Sequence, residues 1–358
     1  MKKKLITALI SIVLVFVLLW AAQRLLMPKY MKGIVEGAMV EEYYDDLDVP
    51  HEVLMVGDCE LYENVSTAEL YEQYGISSYI RGSAQQLTWQ SYYLLEDTLR
   101  YETPKVVIFN VLALKYNEPQ SETYNRMTID GMRWSTVKWN MIKASMTEDE
   151  QMIEYIFPIL RYHDRWNQLT ATDFKYWFSR DLVTTNGYYM RVDSLPEANF
   201  PPAPMLADPN LGSNAMDYLG RMADLCDEKG IALVLVKAPT LYPYWYDEWD
   251  AQVQAFADER GLDYFNYINY RDEIGLDMTV DTYDAGLHLN IDGAEKMADY
   301  LGAYLVENYD LTDYRLVPEV AASWDEKIKA YNDLRDAQYA ELAQYGELRS
   351  WGANAIEN

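Results

Sequence analysis

Three residue types in two distant segments suit nucleophilic chemistry. Cys59 directly follows a short apolar run and a Gly-Asp pair, and His288 stands four residues after Asp284, just before a predicted helix. The chain has only 3 histidines and 2 cysteines, so few other pairs of nucleophile and base can be built. Covalent catalysis needs a nucleophile, a base that takes its proton, and an acid that orients the base. We therefore predict Cys59 as nucleophile, His288 as base and Asp284 as acid, with Asp281 as the alternative acid.

Each segment also has a plain structural interpretation. A glycine before a helix start allows a sharp turn whose N–H groups favour a thiolate, but the Cys59 thiol could equally fill space beneath a helix. His288 could cap the helix that follows it, although Asn290 or Asp292 is the better N-cap residue type. The catalytic interpretation gains weight from the two segments together.

Together the segments resemble the SGNH/GDSL hydrolase superfamily. Its first block is Gly-Asp-Ser, read here as Gly57-Asp58-Cys59, and its last block is Asp-x-x-His-Pro-Asn-x-x-Gly, read here as His288-Leu-Asn290-x-x-Gly293. The resemblance covers about residues 51–308 apart from an insertion. It is greatest to membrane-anchored extracytoplasmic members, such as teichoic-acid D-alanylation proteins and polysaccharide O-acetyl-transfer proteins. Three features depart from the pattern: cysteine replaces serine, Asp284 lies one residue further from the histidine, and no Gly-x-Asn-Asp block is present.

The resemblance implies an extracytoplasmic acyl-ester hydrolase or O-acyltransferase that acts on an acylated glycan or cell-envelope polymer, with a membrane-bound acyltransferase as a possible partner. It also implies an oxyanion hole from the N–H groups of Cys59 and Gly82, with Asn110 as the third donor. A different interpretation is a degenerate domain that binds or assembles envelope polysaccharide machinery. A third is a thiol redox pair of Cys59 and Cys226.

Short apolar runs alternate with helical patterns along the chain. The alternation predicts a doubly wound, mostly parallel α/β sheet of five strands, a flavodoxin-like three-layer sandwich, with its site at the carboxyl ends of the strands. The predicted strands are 52–56, 78–80, 105–109, 231–236 and 263–266, and the predicted helices are 67–74, 86–101, 214–228, 249–260 and 293–307.

A stretch at about 113–212 interrupts the alternation and is too long for a simple connection. Loops at the carboxyl edge of such a sheet commonly select substrate. From this stretch and from the loop after the fourth strand we predict five substrate-binding residues: Asn117, Arg133, Trp134, Lys237 and Tyr242.

The N-terminus predicts a membrane anchor. Residues 5–23 carry no charge and as a helix span about 28 Å, close to the ~30 Å hydrocarbon core. Lys2, Lys3 and Lys4 precede them, which predicts a cytoplasmic N-terminus and an extracytoplasmic main domain. A cleaved signal peptide is the alternative. The predicted organisation is anchor 1–27, juxtamembrane spacer 28–50, α/β domain 51–310 and helical extension 311–358.

Charge and motif content exclude several classes of function. The formal net charge is −27, which disfavours nucleic acid as a partner. No metal-ligand spacing and no phosphate-loop or dinucleotide fingerprint is present, so we predict no metal and no cofactor.

Overall fold

The computed structural model describes residues 2–28, 38–178 and 184–350. Residues 29–37 of the predicted spacer and 351–358 of the predicted extension therefore lie outside the described residues. The strands are β1 (Val53–Gly57), β2 (Ser78–Gly82), β3 (Val106–Asn110), β4 (Ala232–Lys237) and β5 (Asp263–Asn266). The helices are α1 (Lys2–Leu26), α2 (Ala38–Glu42), α3 (Cys59–Tyr62), α4 (Thr67–Tyr74), α5 (Thr88–Thr98), α6 (Glu122–Ile129), α7 (Thr136–Ser145), α8 (Met152–Ile156), α9 (Ile159–Tyr162), α10 (Ala171–Phe178), α11 (Ser213–Lys229), α12 (Asp247–Arg260), α13 (Arg271–Ile274), α14 (Ile291–Asn308) and α15 (Pro318–Tyr345).

The five strands form one parallel sheet in the order β2-β1-β3-β4-β5. This is the flavodoxin-like order of doubly wound sheets, and it confirms the predicted fold class. The chain changes direction across the sheet between β1 and β3. In such sheets the ligand crevice lies beyond the carboxyl ends of the strands at this switch point. The turn that carries Cys59 follows β1, and Asn110 ends β3.

Two apolar cores cover the two faces of the sheet. Alternate strand residues such as Met55 and Ile108 pack with α4, α14 and α15 on one face, whereas Leu54 and Val107 pack with α11 and α12 on the other. Strands buried on both sides read as continuous apolar runs, which is why the sequence reveals them so clearly.

Helix ends follow their local sequence. Gly75, Gly230 and Gly261 each terminate a helix in the left-handed conformation, at positive φ, where a side chain would be strained. Asn290 caps α14 by accepting a hydrogen bond from the Gly293 N–H at 3.2 Å. The capping role thus belongs to Asn290, and His288 is left for other contacts.

The segments flanking the α/β domain pack against it. Tyr43 and Tyr44, just after α2, are buried beside Tyr79 of β2. Near the other end of the chain, α15 buries Trp324, whose ring stacks on Tyr71 at 4.5 Å between ring centroids. Within residues 113–212, helices α6 to α10 supply the structure that the length of this stretch requires.

Among the described residues, one helix is long and apolar enough to cross a membrane, the N-terminal α1. A signal sequence would meet the same criteria.

Candidate active site

A tight turn after β1 positions Cys59. A Cβ at Gly57 would lie 2.9 Å from the Cβ of Asn110, so a side chain there would collide with the end of β3. Asp58 caps α3 by accepting from the Glu60 N–H at 3.1 Å, and Cys59 becomes the first residue of that helix. Its N–H therefore has no acceptor within the helix and points out of the helix N-terminus.

A compact loop presents His288 to the thiol. The Nδ1 of His288 lies 2.6 Å from Asp284 Oδ2, and its backbone N–H donates to Asp284 Oδ1 at 2.7 Å. The carbonyl of His288 accepts from the Thr282 hydroxyl at 2.7 Å, and the Leu289 N–H donates to Asn64 Oδ1 at 2.7 Å. With Nδ1 bound to the carboxylate, the other ring nitrogen is available to the Cys59 thiol, and the two side chains are close enough for each to shift the pKa of the other.

Asp281 is engaged elsewhere. Its carboxylate accepts from the ammonium of Lys296 at 2.6 Å and from the Asp277 N–H at 2.7 Å. Of the two predicted acids, Asp284 is the one in contact with His288.

A second carboxylate beside His288 was not predicted. Glu63 Oε2 lies 3.8 Å from His288 Nδ1, and the same oxygen accepts a hydrogen bond from the hydroxyl of Tyr283. The Tyr283 ring stacks on His288, with 6.1 Å between ring centroids, and the guanidinium of Arg191 lies 4.5 Å from the centroid of the Tyr283 ring. Glu63 stands four residues after Cys59, and this spacing puts both residues on one face of a helix. The spacing is the signal in the sequence from which Glu63 could have been predicted as a neighbour of the site.

The neighbours of Cys59 and His288 shift the pKa values of both side chains. Burial raises the pKa of the Cys59 thiol to about 11, and the positive charge of His288 only partly offsets this. Burial would lower the pKa of His288, but the negative charges of Glu63 and Cys59 and the hydrogen bond to Asp284 together raise it well above its usual value. Both shifts favour the protonated forms of the two groups.

A buried network of polar side chains supports the turn that carries Cys59. Lys237 donates to Glu60 Oε1 at 2.8 Å and to the carbonyls of Ala238 and Thr240 at 3.0 and 3.2 Å. The side chains of Lys237 and Glu60 are 0% and 1% exposed. All three ammonium hydrogens are thus used inside the protein, and the predicted contact of Lys237 with substrate has no support in this placement.

Asn110 also belongs to this network. Its Nδ2 donates to Asp58 Oδ1 at 2.8 Å and to Glu60 Oε2 at 3.2 Å, so both amide hydrogens are already engaged. This differs from the predicted oxyanion role, which needs a free donor. Burial, followed by the charge of Glu60, raises the pKa of Asp58 to about 6.

Gly82 lies beside the turn that carries Cys59. A Cβ on Gly82 would stand 3.0 Å from both the Gly57 carbonyl oxygen and the Tyr62 ring, so the close approach of β2 depends on glycine. The predicted oxyanion donors, the N–H groups of Cys59 and Gly82, thus belong to adjoining backbone segments.

The other predicted substrate-binding residues are dispersed. Asn117 Oδ1 accepts from the Asn214 N–H at 2.8 Å and so caps the start of α11. Arg133 lies over the ring of Tyr44 at 4.6 Å, and its neighbour Trp134 is exposed. Tyr242 is exposed and stacks on Phe200 at 5.4 Å.

Lys115 and Tyr116 also interact with charges at the turn that carries Cys59. The charge of Asp58, and more weakly that of Cys59, contributes to the raised pKa of Tyr116 and opposes the burial that lowers the pKa of Lys115. Lys115 ends the 3₁₀ segment Val111–Lys115 that follows β3, and Tyr116 comes next. Both therefore lie at the same edge of the sheet as Cys59.

The two cysteines are free and lie on opposite sides of the sheet. Cys59 packs against the core that contains α4 and α14, whereas Cys226 is buried in the core beneath α11. The sheet between them prevents a disulfide, which removes the structural basis for a redox pair.

No family model matches the chain, and no curated protein matches it. Among solved structures, a GDSL-like lipase from Bacteroides thetaiotaomicron is similar at 11% identity with a TM-score of 0.38, over 75% of this chain and 98% of that chain. A protein named as an acylhydrolase from Bacteroides fragilis is similar at 11% identity with a TM-score of 0.37, over 75% of this chain and 94% of that chain.

Proposed function

We propose that this protein is a cysteine-dependent acyl-ester hydrolase or O-acyltransferase. The observation that carries the proposal is the convergence of Cys59, His288 and Asp284 at the switch-point edge of the sheet, where Asp284 contacts the imidazole at 2.6 Å and the imidazole interacts electrostatically with the thiol. The acid also accepts a hydrogen bond from the backbone N–H of the histidine, which fixes the carboxylate beside the ring, and its contact with Nδ1 favours the tautomer that has the proton on that nitrogen.

The chemistry follows from the three roles. The Cys59 sulfur forms a bond to the acyl carbonyl carbon while the proton of the thiol passes to His288, and Asp284 stabilises the imidazolium. Collapse of the tetrahedral intermediate breaks the carbon–oxygen bond of the ester, and the leaving oxygen takes the proton from His288. Water or a sugar hydroxyl then gives a proton to His288, bonds to the acyl carbon and releases the thiol. The N–H groups of Cys59 and Gly82 are the donors for the oxyanion.

The protonation of the pair sets a condition on this cycle. Because the pKa values of both Cys59 and His288 are raised, the pair must lose one proton before the sulfur can attack. The proposal therefore includes activity that increases with pH.

We further propose that α1 anchors the protein in the cell membrane with the α/β domain outside the cytoplasm. The support is the uncharged stretch of α1 after three lysines. An acylated glycan or envelope polymer is the substrate class that suits this location, and a membrane-bound acyltransferase is the partner that would supply acyl groups.

A second function is favoured by two specific observations. Both amide hydrogens of Asn110 are engaged by carboxylates, and His288 lies between two negative charges that keep it protonated. Both features suit a domain that binds acylated polymer without turning it over.

Hydrolysis of p-nitrophenyl acetate by the full-length protein in detergent distinguishes these functions. We compare the wild type with Cys59→Ala, His288→Ala and Cys226→Ala, the last being the control for loss of a thiol elsewhere. Loss of a nucleophile or base from a working triad reduces kcat by roughly 10³-fold or more. Such losses in the first two variants, with Cys226→Ala unchanged, support the enzyme. Equal rates in all four proteins contradict it.

A further inference from the structure

The C-terminal end of α1 is not free, but meets the insertion. The side chains of residues 2–20 are exposed, those of 21–25 are half-buried, and Leu26 is buried. The elements beside this end are α9, α10 and the 3₁₀ segment His163–Asn167. The change from exposed to buried side chains therefore marks the level at which α1 enters the folded domain.

A specific contact fixes this junction. Arg165 donates to the backbone carbonyl of Leu26 and pairs with Asp173 at 3.2 Å. The last carbonyls of a helix have no partner within the helix, and a guanidinium is favourable at that end of the helix dipole. The contact holds residues around Arg165 next to the point where α1 ends.

Large apolar side chains are exposed around the same junction. We call residues 152–178 the collar. Its exposed fractions are 71% for Trp166, 52% for Phe174, 47% for Leu160 and 45% for Phe157. Side chains of this size are normally buried in a water-soluble domain, and a cluster of them marks a contact surface.

The collar also differs from the rest of the chain in charge. It contains three acidic residues, Glu154, Asp164 and Asp173, and three basic ones, Arg161, Arg165 and Lys175, so its formal net charge is zero within a chain of −27. A surface without net charge can approach lipid headgroups from which the remaining acidic surface is repelled.

We propose that the collar is a membrane-contact surface that lies in the headgroup region of the bilayer into which α1 inserts. Trp and Phe side chains favour this region, where an amphipathic or apolar ring meets a partly hydrated boundary. The exposed and uncharged stretch of α1, residues 5–20, has a length of about 24 Å, so the helix crosses most of the ~30 Å hydrocarbon core before it meets the collar. The collar then sits where that core ends. The proposal rests on membrane insertion of α1, as stated under the proposed function.

The test uses the full-length protein in phosphatidylcholine nanodiscs whose lipids carry a nitroxide near the headgroup. Tryptophan fluorescence is quenched by nitroxide at short range. We use a Trp20→Phe background, because Trp20 lies in α1 and would itself be quenched. In this background we compare Trp166→Phe with Trp134→Phe, a matched control in which another exposed tryptophan, outside the collar, is replaced. Both changes are conservative at exposed positions.

We expect Trp166→Phe to reduce the quenched fraction of the fluorescence about twofold and Trp134→Phe to leave it unchanged. An unchanged quenched fraction in Trp166→Phe would overturn the collar as a membrane surface. Alkaline carbonate extraction of native membranes separates this failure from failure of the anchor. Release of the full-length chain would overturn both, whereas retention without quenching of Trp166 overturns the collar alone.

Discussion

The buried pair of Lys237 and Glu60 gives the sharpest test of how the turn that carries Cys59 is held. Lys237→Met keeps most of the side-chain volume but removes an ammonium that contacts Glu60 at 2.8 Å and two carbonyls at 3.0 and 3.2 Å. The Glu60 carboxylate is then left in a site where its side chain is 1% exposed. Removing one partner of such a buried pair costs about 3–5 kcal/mol.

Urea unfolding of the full-length protein in detergent, followed by tryptophan fluorescence, measures this loss. With an m-value of roughly 3 kcal/mol per molar urea, a 3–5 kcal/mol loss lowers the midpoint by about 1–1.7 M. Lys229→Met is the matched control, because Lys229 pairs with Glu228 at 2.9 Å on the surface. Exposed pairs contribute about 0–1 kcal/mol, so its midpoint changes little.

A double-mutant cycle separates the pair from its surroundings. Lys237→Met combined with Glu60→Leu removes both charges, so we expect a smaller loss than the sum of the two single losses, with a coupling of about 2 kcal/mol or more. The reasoning is refuted if Lys237→Met costs no more than Lys229→Met, or if the two single losses simply add.

Three further predictions concern titrating groups. Glu63→Gln removes a carboxylate 3.8 Å from His288 Nδ1 and so lowers the pKa of His288, and the acid limb of the kcat/KM profile should move to lower pH. Burial raises the pKa of the Cys59 thiol to about 11. Alkylation of Cys59 by iodoacetamide should therefore still accelerate above pH 9, whereas buried Cys226 stays unmodified. For His51, burial lowers the pKa but hydrogen bonds to Asp46 and Glu102, each 2.9 Å long, raise it overall. His51 thus contributes stability that is complete below its unfolded pKa of about 6.5 and is lost as pH rises through its folded pKa, and His51→Gln should remove this part of the pH dependence of unfolding.

For each of these three predictions, one outcome would contradict the reasoning. An acid limb that does not move, or moves to higher pH, in Glu63→Gln would mean that this carboxylate does not act on His288. Alkylation of Cys59 that reaches its plateau below pH 9 would contradict a raised thiol pKa. A His51→Gln variant whose stability has the same pH dependence as the wild type would show that the imidazolium is not held by Asp46 and Glu102.

The sheet was predictable because its physical cause is local. Runs such as Val106–Phe109 are buried on both faces, so their apolar character is continuous and their ends are marked by polar or glycine residues. The first and last residues of the helices were less predictable than the strands. Helix α5 runs over Thr88–Thr98, whereas the periodicity predicted 86–101; at its start, Gln90 accepts a hydrogen bond from the Leu87 N–H and so fixes the first turn there.

The site was predictable only in part. Cys59, His288 and Asp284 were found from residue type and spacing, and the structure brings them together; their catalytic roles stay predictions. Glu63 and the engagement of Lys237 were not found, because they depend on which side chains meet from distant segments. Asn110 shows the same limit, since a strand-end amide can serve either a ligand or its own neighbours.

Trapping of an acyl-enzyme tests the central claim, nucleophilic attack by Cys59, most directly. Full-length protein is mixed with p-nitrophenyl acetate at alkaline pH, quenched in acid within the first turnovers, digested and analysed by mass spectrometry. We predict one acetyl group on the peptide that contains Cys59, released by hydroxylamine as a thioester is, and none on that peptide in His288→Ala. Hydrolysis of the ester without acetylation of Cys59, or acetylation that persists equally in His288→Ala, would contradict the account.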